Sequence, residues 1–352
     1  MRNYNQYLSI WVNNRIYHFV KLFWAFPLSI ISRIVPKGEY EIYGSMNGFK
    51  VCDNSKFLFH KYNSEKSFFI TKNINLIDSS NEKIIYAYSI KGVYLQMFAK
   101  KVFWTHGLND FIAPLIVGSY IVGLQHGLPG KKTVTKNRSE LYYKIKNLVL
   151  PFMNNDFCHE VWSPKPFYDP YILEVFHPLE VAVKRKQLPR IEFGPYLPKK
   201  NKILYAPSHR TFRKIGDVLD GNKVFLKSFL DELNKKEYEF VIRPHPLDYD
   251  ELVQLNTGDY CLIDLSSDVH DTISSYSIVI SDFSGLLIDC WELGIESYCL
   301  CDDLENIFDS GIIYEWFFEE LKSKRINKMS DIFYHKALKK HKSAESDRIK
   351  IS

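Results

Sequence analysis

Short apolar runs recur along the chain, and polar stretches long enough to form helices separate them. In the first half the runs lie at 67–70, 84–86, 101–104, 120–124 and 160–162; in the second half they lie at 203–206, 239–242, 277–280 and 297–300. Buried strands that alternate with helices are typical of βαβ units, whose strands pair in parallel. The pattern therefore predicts an α/β protein with parallel sheets.

Helical periodicity is clearest in the second half. Apolar residues recur at helical spacing through 223–236. A second helix is expected to open near Ser284 and to stop at Gly294, because glycine readily adopts the conformation that ends a helix. After Leu321 the chain becomes basic, and we expect a solvated helix followed by a frayed end.

The length of 352 residues exceeds one ordinary core and predicts two domains. Between 178 and 201 the composition shifts to Pro, Lys and Arg, as in an interdomain linker. We expect an N-terminal segment at 1–38, Rossmann-like domains at 39–195 and 196–330, and a basic tail at 331–352. Two such domains in tandem form the GT-B architecture of nucleotide-sugar transferases, with an interdomain cleft.

The N-terminal segment is basic, aromatic and free of acids until Glu39. Its longest uncharged run, 22–32, is far shorter than the ~20 apolar residues that span a bilayer. A segment of this kind is predicted to be an amphipathic helix lying in the cytoplasmic interface of a membrane, where anionic lipid attracts its cations. The alternative is a helix packed on the body of the protein.

Charge and cysteine content narrow the class of protein. The net charge of +5 comes without an Arg-rich cluster dense enough for nucleic acid, so no nucleic-acid partner is expected. The six cysteines show no C-x-x-C pair and no zinc spacing. Buried reduced thiols and a reducing cytoplasm are therefore expected, and no metal site.

The first chemically informative motif follows the run at 120–124. Gln125-His-Gly-Leu-Pro-Gly-Lys-Lys132 places a histidine and two lysines where ligands of open α/β sheets bind. We predict His126 as the general base, because an imidazole removes a hydroxyl proton near neutral pH. Gly127, Lys131 and Lys132 are expected to contact the acceptor or a phosphate. His106 is similar but ranks lower, because no lysine pair follows it.

Three further strand ends carry groups suited to a diphosphate. In Arg243-Pro-His-Pro246 the prolines hold His245 rigidly beside Arg243. Ser281-Asp-Phe-Ser-Gly285 precedes a helix, whose amino end favours anions. Arg210 follows the run at 203–206, and its guanidinium can bind phosphate through two parallel hydrogen bonds. We predict donor-phosphate contacts from Arg210, Arg243, Ser281, Asp282, Ser284 and Gly285; alternatively, Ser281 or Asp282 only caps the helix.

Taken in order, four motifs resemble those of the CDP-glycerol glycerophosphotransferase family, whose members make teichoic acids and related capsule polymers. They are Gln125-His-Gly-Leu-Pro-Gly-Lys-Lys132, Ile203-Leu-Tyr-Ala-Pro-Ser-His-Arg210, Arg243-Pro-His-Pro246 and Ile280-Ser-Asp-Phe-Ser-Gly-Leu-Leu-Ile-Asp289. The resemblance covers roughly residues 45–310. Gln125 and Leu128 stand where the family motif has tryptophan and threonine, so acceptor contacts are expected to differ.

The resemblance implies a peripheral membrane enzyme of GT-B fold on the cytoplasmic face, with an acceptor-side first domain and a donor-binding second domain. His126 would be the base, His245 would bind the donor phosphate, and the Ser284 hydroxyl would assist it. The donor would be CDP-glycerol or CDP-ribitol, the acceptor a glycan or lipid-linked hydroxyl, and the nucleotide product CMP. No metal and no cofactor beyond the donor substrate is expected.

Two other functions fit the same pattern. One is a GT-B glycosyltransferase that uses a CMP-sugar, of the sialyl or Kdo type, in capsule or lipopolysaccharide synthesis. Its base would be a carboxylate, for which the first half offers Asp110, Glu140 and Asp156. The other is a membrane-bound scaffold in surface-polymer assembly that has kept the fold and lost the activity.

Overall fold

The chain contains two parallel sheets, each in its own compact unit. The computed structural model describes residues 15–62, 64–78, 81–124, 151–153, 155, 157–163, 182–185, 201–208, 223–245, 248, 262–266 and 268–333. The α/β class and the parallel strands predicted from the apolar runs are confirmed.

The first unit has seven parallel strands in the order β3-β2-β1-β4-β5-β6-β7. They are β1 Glu41–Gly44, β2 Ser67–Thr71, β3 Ile84–Tyr86, β4 Lys101–Trp104, β5 Tyr120–Gly123, β6 Glu160–Ser163 and β7 Ala182–Arg185. Trp104 pairs with Gly44 on one side and with Gly123 on the other. The carboxyl ends of β1, β4 and β5 are therefore level with one another at one edge of the sheet.

Four helices accompany this sheet in the described part of the chain: α1 Arg15–Ile34, α2 Asp53–Tyr62, α3 Ile90–Phe98 and α4 Ala113–Ile116. Strand residues on both faces of the sheet are buried, as expected of a parallel sheet covered on both sides. Ile42 and Val102 belong to one core, while Tyr43 and Phe103 stack in another with ring centroids 4.7 Å apart.

The second unit has six parallel strands in the order β10-β9-β8-β11-β12-β13. They are β8 Lys202–Tyr205, β9 Glu239–Ile242, β10 Leu262–Ile263, β11 Ile278–Ser281, β12 Glu296–Leu300 and β13 Arg325–Ile326. Its described helices are α5 Lys223–Lys235, α6 Leu286–Glu292, α7 Leu304–Asp309 and α8 Glu315–Ser323. Tyr205 pairs with Ile242 and Ile280, so β8 and its two neighbours end at the same edge.

One expectation about the irregular segments is wrong, and another needs an addition. The stretch at 178–201, predicted as a linker, contains the point between Arg190 and Ile191 where the two compact units divide, but it also contains β7, which pairs with β6 in register. The basic stretch after Leu321 is not simply solvated, because β13 pairs with β12 and both Met329 and Ile332 are buried in the core. Short edge strands rich in Lys and Arg owe their structure to the neighbouring strand and not to their own composition.

The packing of α1 is the reverse of an ordinary surface helix. Its small residues Ala25, Ser29 and Ser32 are buried, while Phe23 and Ile34 are 69% and 74% exposed. The Ser32 hydroxyl donates to Leu115 O at 2.6 Å, at the end of α4. The helix thus packs on the body through its small residues and leaves large apolar side chains outside. No helix in the described ranges is both long and apolar enough to cross a bilayer.

Candidate functional site

The predicted donor-side residues follow three neighbouring strands of the second sheet. Residues 206–208 follow β8, residues 243–245 follow β9 and residues 282–285 follow β11. Because β8 lies between β9 and β11 and all three run parallel, these segments leave the sheet at its carboxyl edge. Ligands of open α/β sheets bind at such an edge.

The segments after β8 and β11 are tied together by buried hydrogen bonds. The Ser281 hydroxyl donates to Ala206 O, and the backbone N–H of Ser208 donates to both Asp282 oxygens, at 3.1 and 3.2 Å. Ser281 is fully buried and Asp282 is 4% exposed. These two side chains thus fix the course of the chain that leads to Arg210; their role as phosphate contacts stays a prediction.

Ser284 and Gly285 stand at the start of α6 and are partly exposed. The backbone N–H of Leu286 donates to Ser284 Oγ at 3.3 Å, and that of Leu287 to Ser284 O at 3.1 Å. Gly285 is the N-cap residue of α6, so Ser284 lies directly before the start of the helix. A hydroxyl in this place can turn to a ligand at the strand edge.

The guanidinium of Arg243 lies against the segment after β10. It donates to Ser266 Oγ at 2.6 Å and to Ser266 O at 2.9 Å, and its Nη1 lies 3.2 Å from Asp264 Oδ2. Burial raises the pKa of Asp264, but hydrogen bonds from Ser266 and the charge of Arg243 outweigh it and hold that pKa below its usual range. In this structure Arg243 anchors the chain that carries His245.

His245 itself is partly exposed, three residues beyond Ile242, where β9 ends. Pro244 before it is buried, and the backbone N–H of Asp248 donates to His245 O at 2.8 Å. His245 thus follows a buried proline, and its carbonyl accepts a hydrogen bond from the chain beyond it; its rigid placement by the two flanking prolines stays a prediction.

Five of the predicted site residues lie outside the described residues, and their roles stay predictions. They are His126, Gly127, Lys131, Lys132 and Arg210. The described residues end at Leu124, directly before the first motif, and the backbone N–H of Leu124 donates to Trp104 O at 2.8 Å. The strand that leads into the motif is thus the one beside β4.

A polar network around His106 occupies the carboxyl edge of the first sheet. The backbone N–H of Met46 donates to His106 Nδ1 at 3.2 Å, and Thr105 Oγ1 lies 2.9 Å from the same nitrogen. Since Nδ1 accepts a hydrogen bond from an amide, the neutral ring carries its hydrogen on Nε2. His106 is thus fixed as one tautomer at the edge where β5 also ends.

Asp110 joins the two loops that build this network. Its Oδ2 accepts from the backbone N–H groups of Thr105 and His106, at 2.9 and 3.0 Å, and its Oδ1 accepts from that of Asn47 at 2.7 Å. Met46 and Asn47 have φ values of 50° and 56°, which are uncommon for residues other than glycine. The carboxylate offsets the cost of that backbone, so Asp110 acts as a structural clamp here.

The burial of Asp110 leads to a testable prediction about how the stability of the fold depends on pH. Asp110 is fully buried, and burial raises its pKa from 3.8 to about 6, although its backbone hydrogen bonds oppose the change. A carboxyl whose pKa is raised on folding stabilises the folded state below about pH 4 and loses that contribution as the pH rises through about 6. This rise in the pKa of Asp110 corresponds to roughly 3 kcal/mol of the free energy of unfolding.

In Asp110→Asn the free energy of unfolding, measured with urea from pH 4 to pH 7, should fall less steeply with pH than in the wild type. The variant should also be less stable at every pH, because its amide nitrogen cannot accept the bonds from Thr105 and His106. Identical slopes for the two proteins would contradict the prediction.

The comparisons with known proteins agree with the fold and with the order of the motifs. The family model described as CDP-Glycerol:Poly(glycerophosphate) glycerophosphotransferase matches residues 28–293, which include all four motifs. No curated protein matches the chain in sequence.

Among solved structures, the chain is similar to the wall teichoic acid polymerase TagF, with 15% identity and a TM-score of 0.60 over 84% of this chain and 80% of that one. A variant of TagF soaked with CDPG matches with 15% identity and a TM-score of 0.59 over 86% and 81% of the two chains. At this identity the likeness shows the fold, which is that of a GT-B-like enzyme.

Proposed function

The chain belongs to the family of CDP-Glycerol:Poly(glycerophosphate) glycerophosphotransferases, and on that premise we propose the reaction that it catalyses. It is a CDP-glycerol glycerophosphotransferase-like enzyme. The proposed reaction moves glycerol phosphate from CDP-glycerol, or a related alditol phosphate from a donor such as CDP-ribitol, to a hydroxyl of a cell-surface glycan or lipid-linked acceptor. CMP is released. The observation that carries the proposal is the family match across residues 28–293.

The reaction is a displacement at the β-phosphorus of the donor. The acceptor oxygen bonds to this phosphorus while the bond to the oxygen that bridges the two phosphates breaks, and CMP departs with that oxygen. His126 takes the proton of the acceptor hydroxyl. Proton removal by a positioned base typically contributes ~10²–10⁴ in rate. Lys131 and Lys132 hold anionic groups of the substrates nearby, and Gly127 permits their close approach.

The donor side stabilises the negative charge that develops on the diphosphate. His245 and Arg210 supply donors and positive charge from the ends of β9 and β8, and Ser284 and Gly285 supply a hydroxyl and space at the end of β11. The side chains of Arg243, Ser281 and Asp282 hold these segments in place through hydrogen bonds to neighbouring parts of the chain. Donors fixed before the reaction stabilise such charge without reorganisation.

The proposal is tested by nucleotide release from three donors. The purified protein is incubated separately with CDP-glycerol, CDP-ribitol and CMP-sialic acid, each with and without a lipid-linked or capsule-type saccharide acceptor. CMP that appears only with a CDP-alditol and an acceptor supports the proposal. Turnover with the CMP-sugar alone identifies a glycosyltransferase instead, and CDP-alditol binding without turnover over many acceptors identifies a scaffold.

We further propose that α1 places the enzyme on an anionic membrane surface, peripherally and on the cytoplasmic face. Phe23, Trp24 and Ile34 are exposed although smaller residues of the same helix are buried. An apolar face left outside beside basic residues suits the boundary between headgroups and acyl chains, where apolar burial and lipid charge act together.

The double variant Phe23→Gln and Ile34→Gln should bind vesicles of phosphatidylcholine and phosphatidylglycerol about tenfold more weakly than the wild type, because two side chains lose their apolar burial. Ile74→Gln is the matched control, since Ile74 is 63% exposed but lies outside α1. Sedimentation with the vesicles measures the binding. Equal binding by the double variant and the wild type would contradict a membrane role for α1.

A further inference from the structure

A buried histidine lies between two carboxylates in the second unit. His270 Nδ1 is 3.0 Å from Asp268 Oδ1, and His270 Nε2 is 3.1 Å from Asp289 Oδ2. The three side chains are only 5–8% exposed. Each ring nitrogen of His270 is therefore at hydrogen-bond distance from one carboxylate oxygen, and the ring bridges the two aspartates. Neither the four motifs nor the proposed reaction uses this residue.

One end of this cluster is the helix of the predicted phosphate site. Asp289 lies on α6, and its backbone N–H donates to Gly285 O at 3.3 Å. Its carboxylate, held by His270, is thus attached to the first turn of the helix that starts from Ser284. A shift of Asp289 would move Ser284 and Gly285 with it, since one helical turn connects them.

The other end of the cluster leads to the segment that carries His245. The Asp268 carboxylate also accepts from the backbone N–H of His270 at 3.0 Å, and Asp268 O accepts from the Ser266 hydroxyl at 3.2 Å. Ser266 in turn accepts two hydrogen bonds from Arg243. A continuous path of hydrogen bonds therefore runs from Arg243, after β9, to α6, after β11.

Stability alone is a weak explanation for three buried ionisable groups. Burying charges carries a desolvation cost that a well-formed ion pair often only offsets, so that apolar side chains of similar volume would stabilise the fold as well. What the ionic cluster adds is a fixed geometry, because each hydrogen bond has a defined length and direction. That geometry connects two of the segments assigned to the donor diphosphate.

We propose that His270 is a positioning residue for the donor diphosphate: by bridging Asp268 and Asp289, it sets the place of Ser284 and Gly285 relative to His245. The inference rests on the proposed function for the identity of the donor. Ser266, Asp268 and His270 are then a support on which the donor site depends.

The test is His270→Gln, whose single amide group cannot donate to both carboxylates. The KM for CDP-glycerol should rise about tenfold or more and kcat should fall, while the KM for the acceptor should stay within about twofold, because the acceptor side lies on the other sheet. Asp271→Asn is the matched control, since it removes a charge from an exposed neighbour on the same turn. It should leave all three constants within about twofold.

Two double variants distinguish a positioning role of His270 from a general structural defect in the His270→Gln protein. In His270→Gln with Asp289→Asn, the new asparagine can donate to the glutamine oxygen while the glutamine amide donates to Asp268, so the KM for the donor should return at least halfway. In addition, His270→Gln should cost less in kcat/KM when Ser284→Ala is already present, because the two changes act on the same contact. A loss that is equal for donor and acceptor, fully additive and not rescued would overturn the proposal.

Binding of CDP, measured by calorimetry, keeps this inference separate from the proposed function. If the wild type binds CDP but turns over no CDP-alditol, the proposed reaction fails while the role of His270 is still decided by the affinity for CDP. That affinity should fall about tenfold in His270→Gln and stay unchanged in Asp271→Asn. Equal CDP affinity in the wild type and His270→Gln, or no CDP binding by the wild type, would overturn the inference.

Discussion

Replacing His126 with alanine should lower kcat for transfer from CDP-glycerol by about 10²–10⁴, the range expected when a general base is lost. The affinity for CDP should stay within about twofold, because in the proposed reaction the base acts on the acceptor hydroxyl and the donor is held by residues of the other sheet. Initial rates of CMP release and calorimetric titration with CDP measure the two quantities. This combination assigns the loss to the chemical step.

His60→Ala is the matched control for this variant. His60 is an exposed histidine on α2 of the same unit. Its removal should leave kcat within about twofold of the wild type. A His126→Ala enzyme with at least a tenth of the wild-type kcat would show that another group takes the proton, and His106 would be the first to examine, because its ring is fixed at the same sheet edge.

Replacing His245 with alanine should have the second-largest effect. If His245 donates to the diphosphate as charge builds on it, its loss should cost about 10²–10³ in kcat, as the loss of one such donor does in other enzymes. The KM for the donor should rise as well, since part of the contact exists before the reaction. His245→Gln keeps an N–H group near the place of Nε2 and should recover part of the rate.

Steady-state kinetics with CDP-glycerol as the varied substrate measure both constants. Thermal unfolding of the variants serves as the control, because the His245 side chain is partly exposed and its removal should not change the unfolding temperature by more than a few degrees. If the KM for the acceptor rises while that for the donor does not, His245 belongs to the acceptor side and the assignment is wrong.

The apolar runs predicted the central strands well because burial on both faces leaves a clear mark in a sequence. The runs at 101–104 and 239–242 coincide with β4 and β9, each of which lies between two neighbours. One central strand, β1, had no predicted run. The other missed strands, β7, β10 and β13, are short edge strands that pair with a neighbour on one side only. Their existence depends on that neighbour, which no local pattern records.

In the candidate site, too, only the features that depend on nearby residues could be predicted from the sequence. Strand-end motifs such as Arg243-Pro-His-Pro246 are local, so their position at the sheet edge could be predicted. The partners of their side chains could not, since Arg243 meets Ser266 across 23 positions and His270 meets Asp289 across 19. The hydrogen bond that holds the His106 ring could not be predicted either, because it comes from Met46, 60 positions away.

The most direct test of glycerophosphate transfer is to follow the β-phosphate of the donor. CDP-glycerol radiolabelled at the β-phosphorus is incubated with the enzyme and a saccharide acceptor, and the products are separated. If glycerol phosphate is transferred, the label moves into the acceptor as a phosphodiester while unlabelled CMP is released in equal amount. Label that stays with the nucleotide while the acceptor is modified would show that the bond to phosphorus is not the one broken, and would contradict glycerophosphate transfer.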